Sequence, residues 1–276
     1  MKRLANRIGA AAAIGVLAIG AAGASRPNSV AAADAASGRF HGRQQGTILT
    51  LGANQSSNWS GYNQGLLEKG TLFNSVSGTW VVPTATQRTA GQPESSSVWI
   101  GIGGGCLEST CLLTDPTLIQ VGTEQDVDGS GNPTYFAWWE IIPLPSLQTS
   151  LPVAPGQQIT ASISQIIPEL WQIQIRNDST GQSFSTTIPY PSTFGTVEWI
   201  VETPLVISTD SAAGLASMPN LGNVSFSSLK VNGGNPQLSP DEALDLVQNG
   251  QLIAEPSAPS GGNSFSVCVY PPNCAH

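Results

Sequence analysis

The chain has 276 residues, of which 10% are charged, and 10 Lys and Arg stand against 18 Asp and Glu for a net charge of −8. Beyond residue 43 it keeps four bases (Lys69, Arg88, Arg176, Lys230) against seventeen acids, and that charge of −13 excludes nucleic-acid binding through phosphate neutralisation. Its two histidines, His41 and His276, lie near the ends, which excludes a Ser-His-Asp or Cys-His arrangement and a histidine-based zinc site.

Lys2, Arg3 and Arg7 precede a short apolar run and then Ala-Gly-Ala before Ser25. This is the layout of a secretory signal peptide over residues 1–24, with cleavage after Ala24, or after Ala33 as a second option. The run is too short to span a bilayer comfortably, and no later segment is long and apolar enough for a membrane helix. A secreted, soluble monomer without membrane association is expected. Residues 25–54 are rich in Ala, Gly and Ser with little periodicity, the texture of a leader or pro-segment. They carry Arg26, Arg39 and Arg43 against Asp34, so the expectation is a basic arm that lies on the acidic body near neutral pH and leaves it in acid; a passive leader is the alternative.

From Gln55 the texture changes to short alternating or β-branched runs separated by Gly, Pro, Asn and Ser. Strands are predicted over 72–83, 97–103, 117–127, 134–143, 157–166, 170–176, 183–190, 196–202, 223–232 and 264–270. The stretch 170–190 reads as a hairpin turning at Asn-Asp-Ser-Thr-Gly. Only EALDLVQNG (242–250) has a helical look. Many strands and few helices imply a single all-β domain over 55–276, a sandwich or a barrel. The cysteines form two close pairs, Cys106/Cys111 and Cys268/Cys274. Two local disulfides are favoured over cross-pairing, with a cysteine zinc site as a further option.

Applying the two-residue strand period to the polar positions places Leu118, Gln120, Gly122 and Glu124 on one face and Ile119 and Val121 on the other. Phe136, Trp138 and Glu140 share a face opposite Ala137, Trp139 and Ile141. In TVEWIVE (196–202), Val197, Trp199 and Val201 oppose Glu198, Ile200 and Glu202. If these strands neighbour one another, their polar faces make a groove lined with carboxylates, an amide and aromatics.

The pieces NWSGY (58–62), GTWVVP (78–83), VWIGIGG (98–104), LIQVG (118–122), AWWEIIP (137–143) and VEWIVE (197–202) occur in an order that resembles the glutamic peptidases, or eqolisins. The resemblance implies a sandwich of two large antiparallel sheets with a concave substrate groove, and an acid endopeptidase acting on protein or peptide substrates without cofactor or metal. It assigns the catalytic pair to Gln120 and Glu202. It places Glu140 in the lining of the site, Trp99 and Trp138 near substrate, and Glu124 where relatives usually have Asp. Gly103 replaces the Asp that commonly follows this tryptophan motif, and the stretch from Trp99 to Gln120 is longer than usual. In such chemistry a carboxylate takes a proton from the attacking water and returns it to the leaving amine, while the glutamine amide donates to the oxyanion. Glu198 is expected to support the site or face solvent, and Trp59, Trp80 and Trp199 to lie in the core. A carbohydrate-binding or glycosidase-like sandwich is the alternative. It would need two carboxyls about 5–10 Å apart, which Glu140 and Glu202 could supply.

Overall fold

The structure, a computed structural model, describes residues 41–208, 211–272 and 274. The residues read as signal peptide and most of those read as leader, including Arg26 and Arg39, lie outside the described residues, as does His276. Strands β1 (His41–Gln44), β2 (Thr50–Gly52), β3 (Gln55–Ser56) and β4 (Trp59–Gly65) come first, followed by a single helical turn over Leu66–Lys69. Next are β5 (Ser75–Val81), β6 (Glu94–Gly103), β7 (Leu118–Val127), β8 (Pro133–Ile141) and β9 (Leu147–Gln148). The chain continues through β10 (Gln158–Ile167), β11 (Leu170–Asn177), β12 (Gln182–Pro189) and β13 (Thr196–Glu202). It closes with β14 (Leu205–Ser208), β15 (Ser211–Leu215), β16 (Asn223–Val231), β17 (Ala243–Gln248), β18 (Gln251–Pro256) and β19 (Phe265–Val269).

Two large sheets pack face to face. One runs β17-β4-β13-β6-β7-β8-β9 and the other β12-β11-β10-β5-β16-β19-β18-β17, so β17 pairs into both and forms the corner that joins them. Neighbouring strands are antiparallel except for the short pairing of β17 with β3. A third, small sheet has the order β1-β14-β15. The interlayer core takes Val197, Trp199 and Val201 from β13, Val98, Ile100 and Ile102 from β6, and Ile119 and Val121 from β7. Facing them are Ile159, Ala161 and Ile163 of β10 with Trp171, Ile173 and Ile175 of β11. Each buried aliphatic contributes ~1.5–3 kcal/mol. A one-residue slip of β13 would turn Glu198 and Glu202 into this core, so the register is strongly specified.

The sandwich, the β11–β12 hairpin with Asn177 opposite Gln182, and the local disulfides Cys106–Cys111 and Cys268–Cys274 agree with the sequence reading. The helical expectation for 242–250 does not hold. Pro240–Glu242 makes one 3-10 turn, and Ala243–Gln248 is β17, with Leu244 and Leu246 buried at alternate positions. The physical reason is the Asn249-Gly250 turn, where both residues have positive φ (51° and 74°) and fold β18 back onto β17. Asn-Gly favours this hairpin geometry over helix continuation. The inner end of the stretch read as leader also belongs to the fold: Gln45 and Ile48 are buried, and β2 precedes residue 55.

Candidate active site

Cross-strand register arranges the other face of β13, β6, β7 and β8 in rows. Glu202, Ser97, Glu124 and Phe136 form one row; Ile200, Trp99, Gly122 and Trp138 the next; Glu198, Gly101, Gln120 and Glu140 the third. Opposite residues on neighbouring strands point the same way, so all twelve share a face. A second apolar cluster covers part of it, made by Trp59, Trp99, Leu118, Trp138, Ile200 and Ile48 among others. Trp59 therefore belongs to the groove side, edge-on to Trp99 at 4.9 Å, which corrects the expectation of a core role. Trp80 and Trp199 do sit in the interlayer core, their indole N–H groups donating to Thr123 and to the Ser77 carbonyl.

The indole of Trp99 lies down in this face because two neighbours lack side chains. A Cβ on Gly122 would stand 2.5 Å from Trp99 Cβ, and one on Gly101 2.8 Å from Trp99 Cζ3. In this pose Trp99 Nε1 donates to Glu202 Oε2 at 2.8 Å. The other oxygen, Oε1, accepts from the Gly46 backbone N–H at 3.2 Å and from Asn58 Nδ2 at 3.5 Å. Burial pushes Glu202 up to about 8, against the pull of the Gly46, Trp99, Trp59 and Asn58 donors. Desolvation of the charged form outweighs hydrogen bonds that favour it.

Gln120 Nε2 donates to Glu140 Oε2 at 3.0 Å, and Gln120 Oε1 is buried with no protein partner. Burial, then the nearby Glu202 carboxyl, raise Glu140 to about 9, with the Gln120 amide and the Gln45 backbone N–H opposing. Glu140 and Glu202 thus feel one another across the face, and the Gly46 amide reaches Glu202. Glu198 shares the face but has Asp115 as its charged neighbour. It is buried, not facing solvent, and its pKa is raised well above 4.5 by burial and then by Asp115.

The family model described as the Peptidase A4 family matches residues 57–269 of this chain. The chain belongs to this family. It is a glutamic-type peptidase, a hydrolase whose substrates are peptides or proteins. Scytalido-glutamic peptidase, solved with a transition state analog inhibitor, is 24% identical over 77% of this chain and 98% of its own, with a TM-score of 0.59. SCP-B, an eqolisin solved with the tripeptide Ala-Ile-His, is 21% identical over 77% and 98% of the two chains, with a TM-score of 0.54. Aspergilloglutamic peptidase from Aspergillus niger is 26% identical over 64% and 99%, with a TM-score of 0.51. No curated protein sequence matches the chain.

In this glutamic peptidase all six residues singled out from the sequence, Trp99, Gln120, Glu124, Trp138, Glu140 and Glu202, are at most 1% exposed and share the described face. Gly103, where relatives commonly have Asp, has φ 94°, and a Cβ there would stand 2.0 Å from the Thr117 carbonyl oxygen. No side chain fits that turn, so the disulfide-closed loop beyond it follows its own course. Four contributors escaped the sequence reading. Asn58 lay inside a quoted motif, and Ser97 opened a predicted strand, so either could have been found by its row. Gln45 and Gly46 gave no signal at all, lying in a segment without periodicity and before the start of the family match.

Proposed function

We propose that this peptidase is a secreted, acid-active endopeptidase in which Gln120 and Glu202 hydrolyse peptide bonds through an activated water, with no covalent intermediate. The observation that carries the reading is a backbone nitrogen, that of Gly46, lying 3.2 Å from Glu202 Oε1 while Trp99 holds Oε2. A peptide N–H can thus donate to the ionised carboxyl, and once water has added to the carbonyl that nitrogen's freed lone pair stands beside the acid that must protonate it. Ionised Glu202 takes a proton from water as the water oxygen bonds to the carbonyl carbon. The same proton passes to the nitrogen as the C–N bond breaks, and one water is consumed. Glu140 fixes the Gln120 amide by one N–H, leaving the second N–H for the oxyanion and Oε1 for the water. One such donor lowers the barrier by ~3 kcal/mol. Trp99, Trp138 and Glu124 line the substrate path.

Burial holds Glu202 up at about 8 with the Gly46 amide against it, so the base form in acid requires a better-hydrated carboxyl. Export is supported by the signal-peptide layout of residues 1–24 and by two disulfides, and no helix of the described residues is long and apolar enough to cross a membrane. The test is acid proteolysis of a denatured protein. Glu202→Gln and Gln120→Ala should each lower turnover by about 10²–10⁴-fold with unchanged circular dichroism. Full activity in Glu202→Gln would end the assignment.

A further inference from the structure

Gln45 is a polar residue in a stretch without hydrophobic pattern, yet it is 1% exposed. Its side chain is held at both ends. Nε2 donates to Glu124 Oε2 at 3.0 Å, and Oε1 accepts from Ser97 Oγ at 2.9 Å. Ser97 and Glu124 follow Glu202 in a single row of the sheet, one and two strands away. The next residue along the segment places its nitrogen on Glu202 itself. Beyond it, Asn58 Nδ2 donates to the Thr47 carbonyl at 3.2 Å and Ile48 N–H to the Gly104 carbonyl at 2.9 Å, so the segment stays on the face. The Gln45–Gly46 link therefore sets its amide N–H on the acid and the preceding side chain in a polar pocket.

We infer that Ser97 and Glu124 form a subsite that reads a carboxamide, so that this enzyme selects glutamine as the residue whose carbonyl is attacked, and that Gln45 is a built-in occupant of that subsite. The inference rests on the reading of Glu202 as the proton donor to the leaving nitrogen. Its basis is donor and acceptor order. Glu124 accepts from an NH₂ group and Ser97 donates to a carbonyl, which a glutamine side chain satisfies together. A leucine forfeits both of these hydrogen bonds, and an ionised glutamate brings a second carboxylate against Glu124. Sites built to hydrogen-bond a polar group reject analogues lacking it far more strongly than apolar pockets reject a missing methylene.

Two measurements decide it. The first reads hydrogen exchange of the Gly46 amide in the full chain, independently of catalysis. Gln45→Leu and Gln45→Glu should each speed exchange by about tenfold or more, because the side-chain anchor is lost. Unchanged exchange in both variants would overturn the subsite. The second compares peptides that differ only in the residue before the scissile bond. Glutamine should exceed leucine in kcat/KM by about 100-fold, and Ser97→Ala or Glu124→Leu should each narrow that ratio by about tenfold, chiefly through KM. The preference for glutamine over glutamate should widen as pH rises through the glutamate side chain's own value of ~4.3. Equal cleavage of all peptides overturns the subsite and leaves the peptidase reading standing. If no peptide is cut while the Gly46 amide responds as stated, the catalytic assignment fails and the carboxamide pocket remains.

Discussion

Trp99 shows how absent atoms can position a reactive group. It is fully buried, and its donation to Glu202 depends on Gly101 and Gly122 leaving the floor of the face open. Gly101→Ala would put a methyl 2.7 Å from Glu198 Oε1 and 2.8 Å from Trp99 Cζ3, against a ring with nowhere to retreat. Overpacking of this kind costs about 1–3 kcal/mol, and the displaced indole should release Glu202 Oε2. The expected outcome is a lower melting temperature together with a fall of about tenfold or more in kcat/KM. A variant that melts earlier but keeps wild-type kcat/KM would show that Trp99 packs without orienting. The two acids of the EWIVE stretch also separate here. Glu202 meets Trp99, Asn58 and the Gly46 amide, whereas Glu198 feels Asp115.

Among the elements, the segment between β1 and β2 is the one whose burial its composition hides. It is pinned mainly by Asn58, whose Oδ1 accepts from Leu49 N–H at 2.8 Å and from Ser56 Oγ at 2.8 Å while Nδ2 reaches the Thr47 carbonyl. Asn58→Ala removes these bonds at once and should free the segment by about 1–3 kcal/mol. Amide exchange at Leu49 should then rise by about tenfold or more, with the β10–β11 pairing unaffected, since local opening need not involve the distant sheet. Equal acceleration in both places would mean global destabilisation instead. The β17–β18 hairpin shows the reverse relation: its Asn249-Gly250 turn was legible, but the EALDLV run resembled a helix until Leu244 and Leu246 found opposite sheet partners.

At the scale of the whole molecule, three buried carboxyls set the pH dependence of stability. Burial raises Glu140 to about 9 and Glu202 to about 8, and lifts Glu198 well above 4.5. Folded values above unfolded ones mean that the folded state holds these protons more tightly. Their stabilisation is complete below about 4.5 and is lost as pH rises from there toward 8–9. Urea midpoints should therefore be highest near pH 3–4 and fall steadily toward pH 8, while Glu198→Gln flattens the decline. A stability maximum at pH 7 would contradict this account. The sequence by itself determined what depends on local order. Alternation set Val197, Trp199 and Val201 against Glu198, Ile200 and Glu202, turn residues closed the β11–β12 hairpin, and short spacing paired the cysteines. Only the tertiary structure decided which acid meets which partner. Neighbours across a sheet follow from strand order, and Trp99 and Glu202 lie 103 residues apart in the chain. It alone also decided that Gln45 and Gly46 occupy the face. They are held there by single hydrogen bonds to Ser97, Glu124 and Glu202, and such bonds leave no period in a sequence.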